Sequence, residues 1–180
     1  MPTALVVLAN GTEEMEAIAP IDLLRRAGVD VTVAGLPDVH IEGRNGLRLL
    51  AEVPFAEVSG KHFDLVVVPG GPAAKVLRKD LALRALLQRQ EAEGRLIGAI
   101  CAAPTVLADA GLLEDRAYTA HFSVAEELTR LDRGAPVVED RQIITSQGAG
   151  TATEFGLRLV ARLVGEEDAR EVATAICWQH

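Results

Sequence analysis

Aromatic side chains are scarce in this 180-residue chain: one Trp, one Tyr and four Phe, 3% of the whole. A core built from it must rest on Ala, Val, Leu and Ile. Cysteine is scarce too. Cys101 and Cys177 stand far apart, which does not suit a disulfide scaffold, and the expectation is a reduced, cytoplasmic protein. No patch of Lys and Arg offsets the net charge of −8, so nucleic acid and anionic membrane are not expected partners. The opening "MPTALVVLANGTEE" has no basic segment and meets Glu13 and Glu14 too early for a secretory leader. No stretch approaches the roughly 18 unbroken apolar residues of a membrane span. Gly-Lys-Ser and Gly-Lys-Thr are absent, which removes the phosphate-loop fingerprint. His40, His62 and His180 have no evident partners, no spacing suggests a metal site, and no cofactor is expected.

What is present reads as an ordinary soluble globular protein. Hydrophobic residues make up 49% and charged residues 24%, and the length fits a single domain over 1–180. Short β-branched runs alternate with longer helical patterns. "TALVVLA" (3–9), "DVTVAGL" (30–36), "FDLVVVPGG" (63–71) and "RLIGAI" (95–100) read as strands, the first an apolar run of the kind buried on both faces. Helices are expected over 14–27, 73–93, 103–110, 151–164 and 166–177, with a hairpin or paired strands across 136–146. In the first helix Met15, Ile18, Ala19, Leu23 and Ala27 have the spacing of an apolar face, and Gly28 sits where a C-terminus favours positive φ.

Strand–helix alternation implies an α/β fold, a mostly parallel sheet with helices on both faces. Ligands in such sheets bind beyond the carboxyl ends of the strands. That rule selects "ANGTEE", "PGGPAA", "CAAP" and "SQGAGT". In "CAAP", Cys101 follows a strand and precedes a helix with Pro104 in its first turn. A sulfur there either meets free N–H groups and a helix dipole that lower its pKa, or packs as an inert thiol. Glu16 falls between Met15, Ile18 and Ala19, so it should reach the core rim, where burial would raise its pKa and make it a proton donor to a thiolate. A partly solvated helix glutamate is the plainer alternative. Gly70 and Gly71 either offer N–H groups to an oxyanion or make a turn. The 146–151 loop either cradles an anion at a helix N-terminus or is capped by Thr151. His121 in "YTAHFS" is a candidate general base or a packed or surface residue, and Cys177 beside Trp178 reads as structural or frayed.

Taken together, "ALVVLANGTEEMEAIAPIDLLRRAGVDVTVAG", "DLVVVPGG", "IGAICAAPTVLADAGLL" and "ITSQGAGTATEFGLRLV" resemble the DJ-1/PfpI superfamily, and its DJ-1/YajL-like branch most closely. The resemblance runs from about Thr3 to Val164. It implies a flavodoxin-like three-layer α/β sandwich forming a homodimer, with the helix around Met15, Glu16 and Ile18 at the interface. By position, Cys101 would be the nucleophile and Glu16 the protonated carboxyl bonded to its sulfur. Gly70, Gly71 and Ala102 would lend amides to the oxyanion pocket, and His121 matches a histidine near the cysteine. Ala102 stands where the protease branch has histidine, which argues against a peptidase. Asn45 stands where close relatives have a pocket arginine, with Arg44 one residue away. The resemblance implies a glutathione-independent glyoxalase or deglycase acting on methylglyoxal and related small carbonyl substrates. The alternatives are an oxidative-stress sensor or redox-regulated chaperone working through Cys101 oxidation, or a relative carrying a thiazole or thiamine label.

Overall fold

A computed structural model describes residues 1–179 of the chain; His180, for which the sequence suggested no partner, lies outside the described residues. Strand β1 (Thr3–Ala9) lies in the middle of the sheet and is almost wholly buried. Its alternate residues feed two different cores. Leu5, Val7 and Ala9 pack on one face, while Ala4, Val6 and Leu8 pack on the other. This is why the run reads as continuously apolar. Parallel neighbours flank it, β2 (Asp30–Leu36) on one side and β6 (Leu65–Val68) on the other. Beyond β6 come β7 (Leu96–Ile100) and β9 (Ile143–Ser146), both parallel, and then the antiparallel edge strand β8 (Val137–Asp140). The two-residue β5 (Val53–Pro54) closes the opposite edge, giving the seven-strand order β5-β2-β1-β6-β7-β9-β8.

Helices α1 (Glu14–Arg26), α5 (Ala152–Leu163) and α6 (Glu166–Ala175) cover one face. Helices α2 (Ala74–Leu77), α3 (Leu81–Ala92) and α4 (Pro104–Asp109) cover the other. The result is the mostly parallel three-layer α/β sandwich expected. No described helix is long and apolar enough to cross a membrane.

Four expectations need correction. The helix expected over 73–93 is two helices, because the Asp80 side chain accepts the Leu83 N–H at 2.8 Å and starts a new N-terminus. A two-stranded ribbon, β3 (His40–Glu42) with β4 (Arg48–Leu50), occupies a stretch without strong periodicity. Thr151 does not cap α5 with its side chain; its hydroxyl bonds Gly148 and Ser146 instead. Last, Met15 and Ile18 are 58% and 48% exposed, and the buried face of α1 carries Glu14, Glu16, Ala17, Pro20, Ile21, Leu23 and Leu24. The two readings lie within one turn of each other, and the carboxylates, not the methionine, take the inner positions.

Candidate active site

The carboxyl ends of β1, β6 and β7 converge as the topology requires. After β7 the chain turns sharply into α4, and Cys101 at that corner has φ +66°. A side chain in the left-handed region is strained and persists only where its surroundings hold it. Here the Cys101 N–H donates to the Ser146 carbonyl at 2.9 Å, and its carbonyl accepts the His121 N–H at 2.9 Å. The corner is therefore clamped by two loops, and the thiol sits 4% exposed at the base of a cleft.

Glu16 reaches the same point from α1. It is 1% exposed, and its side chain is hydrogen-bonded with the Cys101 thiol. The Gly70 N–H donates to Glu16 Oε2 at 3.0 Å, and the Glu13 carboxylate accepts the Glu16 N–H at 2.9 Å. Gly70 has to be glycine. A Cβ there would fall 2.6 Å from the Cys101 Cβ and 2.8 Å from Glu16 Oε2. The Gly70 amide is thus committed to Glu16, while the Gly71 and Ala102 amides bond the Cys101 sulfur. Of the three expected oxyanion donors, two face the thiol and one holds the acid.

Burial raises the Glu16 carboxyl to about 7, with the Glu13 charge adding to it; the thiol, the Gly70 amide and Arg44 oppose. Burial also pushes the Cys101 thiol up to about 12, and the Glu16 charge pushes further against the Gly71 and Ala102 amides. The Gly71 and Ala102 amides lower the thiol's pKa as a helix mouth would, but burial and the Glu16 charge oppose them. The sulfur is deeply buried, and α4 spans only Pro104–Asp109. Glu16 and Cys101 are a coupled pair of acids, both pushed up chiefly by burial. A single negative charge and a single proton shared between a carboxyl and a sulfur suit both nucleophilic attack and proton transfer.

The cleft above encloses about 450 Å³. His121, Thr105 and Arg44 line it together with Cys101, Gly71 and Ala102. His121 is near the thiol in chain path, but its ring bonds elsewhere: Nδ1 accepts the Ser123 N–H at 3.2 Å and lies 2.8 Å from the Ser123 hydroxyl. Burial and Arg44 lower its pKa. Asn45 points away, binding the Glu14 carboxylate, and Arg44 is the residue of that turn that enters the cleft. Sequence reasoning missed Glu13 and Glu14. The signal for Glu13 was its position just before the apolar helix, where a carboxylate caps. Glu14 carried no signal, because its partners come from a distant ribbon. Among the described residues, no group of three His, Cys, Asp or Glu side chains is placed to hold a metal ion.

Comparison with known proteins agrees with this fold. The model of the DJ-1/PfpI family matches residues 2–162. The chain is 41% identical to Protein dj-1beta of Drosophila melanogaster, over 97% of this chain and 96% of that protein. It is 37% identical to the glutathione-independent glyoxalase DJR-1.2 of Caenorhabditis elegans, again over 97% and 96% of the two chains. The crystal structure of Drosophila melanogaster DJ-1beta superposes with a TM-score of 0.96 at 40% identity, covering 99% of each chain. A buried Cys–Glu pair at the carboxyl ends of a doubly covered parallel sheet, in a chain matched along nearly its whole length, makes this protein a member of the DJ-1/PfpI family.

Proposed function

We propose that the protein is a cysteine-dependent, glutathione-independent glyoxalase that converts methylglyoxal to lactate and acts on related carbonyl adducts. The observation that carries this reading is the Cys101–Glu16 pair with the Gly71 and Ala102 amides on the sulfur side. A relative at 37% identity that is named as such a glyoxalase supports it.

In the singly charged pair, the Glu16 carboxylate takes the thiol proton as the sulfur attacks the aldehyde carbon and the C–S bond forms. The carbonyl electrons move to oxygen beside the Gly71 and Ala102 amides, and Glu16 gives that oxygen its proton. The Glu16 carboxylate then removes the hydrogen from the same carbon, leaving an enediolate. A proton shift between the two oxygens and return of the Glu16 proton to the neighbouring carbon yield a lactoyl thioester. Water attacks the thioester while Glu16 accepts its proton, the C–S bond breaks, and lactate leaves with the pair restored. One water is consumed, and neither glutathione nor an oxidant is needed. His121 lines the cleft with its Nδ1 turned to Ser123, and the proton steps above are assigned to Glu16.

The test is lactate formed from methylglyoxal without glutathione, wild type against Cys101→Ser. Turnover lost in the serine variant is the expected result. No lactate from either protein would overturn the reading and turn attention to peroxide oxidation of Cys101, whose sulfinate the Glu16 carboxyl and the same amides could hold. The working unit is proposed to be a homodimer. Met15, Ile18 and Leu47 form its apolar contact, being 58%, 48% and 59% exposed.

A further inference from the structure

Glu14 is the residue of α1 that the chemistry leaves unused. It lies two positions from Glu16, about 200° around the helix, so the two carboxylates face different neighbours. Glu14 is only 5% exposed, yet it is charged. Burial raises its pKa, but hydrogen bonds from Asn45, from its own backbone and from Leu47 outweigh that and leave it lowered. The Asn45 N–H donates to Glu14 Oε1 at 2.7 Å, and Asn45 Nδ2 donates to Oε2 at 3.0 Å. Gly43 closes on the same carboxylate so tightly that a Cβ there would lie 2.4 Å from Oε1. The turn between β3 and β4 is thus wrapped around one buried anion. Two further bonds stitch it to the loop after β1: Gly11 N–H to the Glu42 carbonyl and Arg44 N–H to the Thr12 carbonyl, both 2.8 Å.

Between the gripped residues stands Arg44, whose side chain lines the Cys101 cleft. We propose that Glu14 is a positioning residue: by fixing the 43–47 turn through Asn45 it sets where the Arg44 guanidinium stands relative to the Cys101–Glu16 pair. The groups acting on Glu16 are Cys101, Glu13 and Arg44, with the His121 ring, its pKa lowered, beyond Gly148. Arg44 is the cation among them, and it favours release of the pair's first proton. Releasing the turn therefore moves that proton loss to higher pH.

The inference rests on the Cys101–Glu16 site and not on methylglyoxal as substrate. Its readout is alkylation of Cys101 by iodoacetamide across pH, followed by mass spectrometry on the full chain, with Cys177 resolved separately. Glu14→Gln and Arg44→Ala should each raise the midpoint of the Cys101 profile by about half a pH unit, the size of one solvent-screened charge. The double variant should match Arg44→Ala alone. A Glu14→Gln profile that superposes on wild type would overturn the proposal, as would shifts that add in the double variant. Should Glu14→Gln fail to fold, Asn45→Ala removes the Nδ2 grip and leaves the backbone one, and a smaller shift in the same direction is expected. No shift in that variant refutes the inference. Absence of lactate would defeat the proposed function and leave this outcome readable.

Discussion

The proposed chemistry depends on Cys101 and Glu16, two buried groups that titrate as a pair, and their burial has consequences for stability as well as for turnover. Glu16 has its pKa raised from 4.5 to about 7 in the folded chain, so the native state binds more protons than the unfolded state between those values. Stability therefore falls as pH rises across that window and levels off above it, by an amount on the order of 3 kcal/mol. Glu16→Gln abolishes this slope. Urea melts at pH 5 and pH 8 should show the variant gaining on wild type as pH rises, and equal differences at both would contradict the buried acid. The same variant should lose on the order of 100-fold or more in lactate turnover, because an amide donates a hydrogen bond but cannot shuttle protons. At Gly70 the constraint is space. Gly70→Ala places a carbon against the Cys101 Cβ and Glu16 Oε2, so it should destabilise by about 1–3 kcal/mol and suppress Cys101 alkylation and turnover together. Full activity in that variant would show that the corner can relax.

Among the elements, periodicity identified the buried strands well because their apolar runs are long and sit between helices on both faces. It failed where an individual side chain overrode it. Asp80 breaks the long apolar pattern after the third strand by capping α3. Asp80→Ala should lower stability by about 1 kcal/mol in denaturant melts while leaving the Cys101 profile unchanged, since α3 stands apart from the cleft. A shift in reactivity would mean that α2 and α3 move together. The face of α1 was misread for a related reason. Hydrophobicity assigns Met15 and Ile18 inward, but Glu14 and Glu16 each have a built partner set, so burying them is favourable despite their charge.

For the whole molecule, the apolar residues displaced from the core by those carboxylates are left on the outside of α1. Met15→Glu with Ile18→Glu should convert a dimer to a monomer in sedimentation, with the fold retained. A wild-type monomer would remove the dimer from the proposal. The strand–helix alternation and the four loops at the carboxyl ends are legible in the chain itself, while the meeting of Cys101 and Glu16 is legible there only through the family resemblance. The first two are carried by local pattern, β-branched runs and turn glycines. Only the tertiary structure decided that Gly70 serves the acid and not the substrate, that His121 is held by Ser123, that Arg44 enters the cleft, and that the thiol is one half of a coupled pair. Those outcomes depend on distance and burial between segments remote in the chain. Electrostatics in a dry corner is set by what surrounds a group, and no local spacing encodes that.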